Sequence, residues 1–168
     1  MKTSNPGGAA PQAAVPTPPP WQRRLVAAVI FGLLFTGLAQ MPIFKRYYLA
    51  DVPGFAWTAD FYATHRMHYA LAALLLFWLS YRATLGIAAW RRGWRPRRAA
   101  VLKAVLWLGI AATGLARVAK NTPGFFFSPT TTMLLDWIHL ALPFVLAPVA
   151  LLAGRSTPTN HASGDAPR

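Results

Sequence analysis

The sequence predicts an all-α fold: an integral membrane four-helix bundle built from two duplicated helical hairpins. Three observations predict it. Four apolar runs, each close to 20 residues, lie at about 25–41, 61–81, 99–118 and 133–152. Short clusters of Lys and Arg separate them instead of coating a polar surface. Three short motifs from the first half of the chain recur in the same order in the second half.

The chain divides into two tails and a transmembrane domain. Residues 1–20 are rich in Pro, Ala, Ser and Gly and end on Pro18-Pro19-Pro20. This composition predicts a disordered tail, as it does for residues 155–168. Residues 21–154 make the membrane domain. Each apolar run is near the roughly 20 residues that a helix needs to cross ~30 Å of hydrocarbon. Lipid offers the backbone no hydrogen-bond partners, so such runs must be helices. The first run could alternatively be a signal peptide, with Gly37-Leu38-Ala39 resembling a cleavage site. A matching segment deeper in the chain favours a retained helix. The second run can be continued to Trp90, and Arg82, near its inner end, reads as a residue snorkelling to the headgroups.

Composition narrows the function classes. Of 168 residues, 55% are apolar and only 12% charged, about half the usual charged share. There is no Cys and no Glu, and the only acids are four Asp. Disulfides, thiolate catalysis, cysteine-held metal centres and carboxylate-rich metal sites are thereby excluded within this chain. No nucleophile–base pair or phosphate-binding loop supports an enzyme. The net charge of +13 does not indicate nucleic acid, because topology and anionic lipid explain the basic clusters.

Orientation follows from Lys and Arg. Arg23 and Arg24 precede the first helix, and Arg91, Arg92, Arg95, Arg97 and Arg98 fill the link between the second and third. Arg155 follows the fourth. Both termini and the Arg-rich link are therefore expected in the cytoplasm, the chain being multi-pass. The loops at about 42–60 and 119–132 would face outward. They carry fewer basic residues, among them Lys45 and Arg46.

The internal repeat is the most specific signal. Thr36-Gly37-Leu38-Ala39 recurs as Thr113-Gly114-Leu115-Ala116. Pro53-Gly54-Phe55 recurs as Pro123-Gly124-Phe125, 70 positions on. His68-Tyr69-Ala70-Leu71 recurs as His139-Leu140-Ala141-Leu142, 71 positions on. A duplicated hairpin would bring His68 and His139 to matched depths on facing helices. Counted from helix starts near Thr58–Asp60 and Thr130–Thr132, each lies about two turns in, roughly 10–13 Å.

An ionisable side chain at membrane depth is a functional candidate, its alternative being a neutral His that joins helices. Two imidazoles at one depth, without thiolate or carboxylate companions, suit a b-type haem, one axial nitrogen from each side. Ala72, Ala73 and Ala141 would leave room for the porphyrin. Zinc fits less well, for want of third and fourth ligands. The second ring nitrogen of each His should meet a carbonyl or polar group. Asp136, one turn before His139, is either that group or a helix N-terminal acid favoured by the dipole. His65 is an alternative ligand or a neighbour that bonds a propionate or tunes a quinone. Arg66, Arg117 and Lys120 are the propionate candidates. His161 lies in the tail.

These residues resemble the four-helix b-type cytochromes, which include the gamma subunits of formate dehydrogenase, the cytochrome b subunits of nickel–iron hydrogenase and bacterial cytochrome b561. The resemblance spans roughly Trp21 to Gly154. Thr36-Gly37-Leu38 is similar to their Thr-Gly-Leu, Arg66-Met67-His68-Tyr69-Ala70-Leu71-Ala72 to their Arg-x-x-His-x-x-x-small, and His139-Leu140-Ala141 to the first His on their fourth helix. The resemblance implies that His68 and His139 hold the outer haem. The family's inner haem takes a His early in the first helix and another about four turns along the fourth. Here Gln22-Arg23-Arg24-Leu25 holds no His and the later position falls near Ala153, so a single-haem variant is expected.

The expected function is an electron-transfer subunit without substrate chemistry of its own. One haem b per chain would relay electrons between the quinone pool and an iron–sulfur or other redox protein at the outer face. Quinone and membrane lipid are the other expected ligands. Pro53-Gly54-Phe55 and Phe125-Phe126-Phe127 are candidates for the docking surface. The alternative is a haem-free anchor of a larger redox complex, its histidines only packing helices.

Overall fold

A computed structural model gives the architecture and describes residues 15–41 and 49–155. Much of both tails, His161, and Lys45 and Arg46 of the first loop lie outside the described residues. Those described form four long helices and no strand. Each helix is long and apolar enough to cross a membrane. The chain divides into two compact units, Met1–Trp94 and Arg95–Arg168, each containing one helical hairpin.

In the first unit, α1 (Pro20–Ala39) packs against α2 (Phe61–Arg91). Helix α1 begins at Pro20 rather than near Leu25, since proline in the first helical turn sacrifices only an N–H that would be unsatisfied anyway. Helix α2 begins where Asp60 accepts from the N–H groups of Tyr62 and Ala63 at 2.9 and 3.1 Å, the usual work of an N-cap acid. It runs 31 residues without a break, roughly 46 Å, and so outreaches the hydrocarbon layer. Its end is a Schellman motif. Gly93 takes φ +92°, its N–H donates to the Trp90 carbonyl, and the Trp94 N–H donates to Ala89. Arg82, expected to snorkel, donates to the Pro16 carbonyl at 2.6 Å and ties the segment before α1 to α2.

In the second unit, α3 (Arg98–Ala119) packs against α4 (Pro129–Arg155). Ser128 caps α4, its Oγ accepting from the Thr131 N–H at 3.1 Å. With Pro129 in the first turn, this starts α4 a turn before the apolar run at Met133. Pro143 and Pro148 lie inside α4. Pro143 has no N–H to give the carbonyl of His139, four residues before it.

The intra-hairpin loops share one turn. In Val52-Pro53-Gly54-Phe55 the last N–H donates to the first carbonyl at 2.9 Å, and in Thr122-Pro123-Gly124-Phe125 at 3.3 Å. Gly54 and Gly124 have φ +88° and +92°. Proline second and a positive-φ glycine third make a type II turn.

Burial agrees with a lipid environment. Few large apolar side chains are enclosed, while Phe31 (71%), Phe77 (77%) and Trp137 (71%) are largely exposed along the helices. Exposure on this scale on long apolar helices is the pattern of a lipid-facing surface. The most completely buried side chains are instead two threonines, Thr36 and Thr64.

Candidate histidine site repeated in both hairpins

Each hairpin carries the same polar rung. Gly32 and Thr36 share a face of α1, and Gly109 and Thr113 the equivalent face of α3, through their four-residue spacing. The Thr36 hydroxyl donates to the Gly32 carbonyl at 2.7 Å, and Thr113 to Gly109 at 2.7 Å. A hydroxyl has one proton. With that proton committed, Oγ1 can only accept from the imidazole opposite. The contacts are 2.9 Å to His68 Nδ1 and 2.9 Å to His139 Nδ1. In its neutral form each ring therefore carries its proton on Nδ1 and a lone pair on Nε2.

Glycine lets each ring approach the neighbouring helix. A Cβ placed on Gly37 would stand 3.4 Å from Cε1 of His68, and one on Gly114 only 3.2 Å from Cε1 of His139. One turn away, a Cβ on Gly32 would meet Leu71 Cδ1 at 2.8 Å and one on Gly109 would meet Leu142 Cδ1 at 3.2 Å. The Gly, Thr and Gly of α1 and α3 are each 77 positions apart, while His and Leu of α2 and α4 are 71 apart. The first loop absorbs the difference.

On the loop side of this rung the hairpins diverge. Gln40 and Arg117 occupy equivalent positions, as do His65 and Asp136. In the first hairpin Gln40 donates from Nε2 to the Thr36 carbonyl at 3.0 Å. Its Oε1 then faces His65 Nδ1 at 2.9 Å. His65 is stacked on Phe61, ring centroids 5.1 Å apart, and touches Tyr69 at 4.2 Å. In the second hairpin the equivalent pair is ionic: Arg117 Nε lies 2.8 Å from Asp136 and Lys120 Nζ 3.4 Å.

The structure thus places His68 and His139 in one arrangement and His65 in another. Arg66 is exposed on α2. Arg117 and Lys120 converge on Asp136. The reading of Asp136 as the partner of His139 is corrected: Thr113 holds the Nδ1 of His139, and Asp136 is taken up by two cations on α3 and the residue after it. The small residues against the rings are Gly37 and Gly114, across each hairpin. Sequence reasoning found the Thr-Gly repeat without giving it a role, and missed Gly32, Gly109 and Gln40. The signal was present, since glycine stands four residues before threonine in both copies.

Among the described residues no three His, Asp or similar side chains come together to hold a metal ion. No protein family, curated protein or solved structure matches this chain. The internal repeat therefore carries the comparison that relatives would otherwise supply.

Proposed function

We propose that the chain is a single-haem b-type cytochrome subunit of the bacterial inner membrane, with both termini cytoplasmic. It passes electrons between the quinone pool and an iron–sulfur or other redox protein at the outer face. The observation that carries this reading is the Thr–His rung in both hairpins. It holds Nδ1–H of His68 and His139 in a fixed tautomer, which makes Nε2 the nitrogen that would bind iron. An axial imidazole has the same requirement, and a hydrogen bond at its second nitrogen sets ring orientation and basicity.

The residues fit the group in other respects. Two imidazoles without a third ligand suit a bis-His haem better than zinc. A bound haem b supplies a one-electron Fe(III)/Fe(II) couple. The chain's own residues orient and exclude. Thr36 and Thr113 fix the rings, and Gly37 and Gly114 leave them room. Arg117, Lys120 and Arg66 are the cations for propionates, with Asp136 holding Arg117 and Lys120 in place. His65 sits one turn from His68 and is the alternative ligand. Lipid surrounds the helices, and nucleic acid has no part in this reading.

One observation favours the rival, a haem-free anchor. The Thr–His bonds by themselves fasten each hairpin, as interhelical hydrogen bonds do in membranes. Haem content separates the two. Protein purified from haem-replete cells should give close to one haem per chain in a pyridine haemochrome assay. A value near zero selects the anchor, and a value near two refutes the single-haem form.

A further inference from the structure

The two Pro-Gly-Phe turns match in sequence but not in what their rings meet. In the first hairpin Phe55 and Trp57 lie against Phe35 of α1, ring centroids 6.1 and 5.8 Å away. The 77-position offset between α1 and α3 puts Ala112 where Phe35 stands. The 70-position offset between the turns puts Phe125, Phe126 and Phe127 where Phe55, Ala56 and Trp57 stand. Alanine has no ring for them to pack on, and Ala112 is itself exposed. Phe125 is 58% exposed, and Phe126, the ring added at the alanine position, 95%. Residues 125–128 adopt no helix or turn. The level of this segment follows from its helices. With 22 residues, α3 is roughly 33 Å long and spans the hydrocarbon, so its end at Ala119 reaches the membrane edge. There Lys120 meets Asp136, seven residues after the start of α4, at 3.4 Å. The loop therefore runs beside the first two turns of α4, within roughly 10 Å of that edge. Trp137, exposed at the same level, is a residue type that settles among headgroups.

We propose that Phe125, Phe126 and Phe127 are an interfacial anchor, dipping from the loop into the lipid leaflet on that side of the membrane. Two observations select lipid as the occupant. Residues 121–128 carry no charge, and the nearest cations, Arg117 and Lys120, are engaged with Asp136. The lipid-facing surface also continues up to the rings, since Leu115 and Val118 on α3 and Met133 and Leu134 on α4 are exposed just below them. Apolar rings at the headgroup level of an uncharged segment enter the headgroup–acyl boundary instead of water. The first hairpin lacks the equivalent anchor, because Phe55 and Trp57 lie against Phe35 and Ala56 has no ring. The second hairpin is thus pinned at its loop, and these three phenylalanines are withdrawn from docking a protein. The anchor rests on the membrane fold and is independent of haem.

The chain has no cysteine, so F125C and F126C each accept a single nitroxide label. The full-length protein is reconstituted in phosphatidylcholine vesicles. Collisions of the label with oxygen, which concentrates in lipid, and with a water-soluble nickel chelate are then measured by power saturation. L108C, at an exposed position midway along α3, supplies the lipid reference and shows that the chain has inserted. R97C, in the exposed link, supplies the aqueous one. The oxygen-to-nickel ratio at 125 and 126 should stand severalfold above that at 97 and below that at 108, a depth of about 5–10 Å into the boundary. A ratio equal to that at 97 places the rings in water and overturns the proposal, leaving them to a protein partner. Few collisions with either reagent overturn it as well, since the rings are then packed within protein. Phe126 is almost wholly exposed, so its replacement leaves the hairpin's own packing intact.

Discussion

Replacing Thr113 or Thr36 by Val removes one hydroxyl at almost constant volume. Each variant loses a 2.9 Å bond from a histidine Nδ1–H. The carbonyls of Gly32 and Gly109 stay inside their helices, so the principal loss is the bond between the helices. Interhelical hydrogen bonds in membranes contribute about 0.6 kcal/mol on average and up to about 1.7. Thr36 is 1% exposed, which places its site toward the upper part of the membrane range. Each substitution should therefore destabilise by about 1–2 kcal/mol, a factor of about 5–30 in the folding equilibrium. Unfolding in mixed micelles of increasing dodecyl sulfate, followed by circular dichroism, measures this. Two internal checks accompany it. The loss at Thr36 should be the larger, because Thr36 is buried and Thr113 only partly so, at the same 2.9 Å bond length. Thr→Ser retains the hydroxyl and should recover most of the loss. Losses below about 0.3 kcal/mol at both positions, or Ser variants no better than Val, would refute the rung as a stabilising hydrogen bond.

Three further outcomes are expected. Gly114→Ala should disturb its hairpin more than Gly37→Ala, because the added Cβ meets imidazole at 3.2 Å in one and 3.4 Å in the other; the reverse order in the same titration would contradict the close approach. Asp60→Ala removes two N-cap acceptors from α2 and should cost about 1 kcal/mol, seen as faster hydrogen exchange confined to the first turn after Asp60. Reporter fusions after Trp94 and Ala50 should report cytoplasmic and external locations respectively, and an external signal at Trp94 would reverse the orientation.

Much of the fold was legible because a membrane simplifies the code. Four apolar runs with basic punctuation leave helices as the only way to satisfy the backbone, and four helices are found. Their ends were less legible. Pro20 and Ser128-Pro129 start helices beyond the apolar runs because proline and a capping hydroxyl set the first turn, and hydropathy registers neither. Helix α2 runs on to Arg91 because nothing breaks it before Gly93. At the site, the repeat singled out His68 and His139, yet hydrogen-bond partners could not be read from residue type alone. Asp136 was a reasonable partner for His139 by helical spacing. What decided against it was Arg117, one turn beyond Thr113 on the neighbouring helix, which a single-helix view does not bring near. The role of Gln40 escaped for the same reason, since its link to His65 runs between helices.

Axial ligation is the most direct test of the central claim. H68A, H139A and H65A should each be purified from haem-replete cells, and the low-spin bis-imidazole signature read by electron paramagnetic resonance and by the reduced alpha band. H68A and H139A should lose that signature through a five-coordinate iron or an empty site, while H65A retains it. A low-spin bis-imidazole haem surviving in H68A, together with its loss in H65A, would place the ligand one turn nearer the loop and contradict the claim that the two Thr–His rungs present the iron's nitrogens.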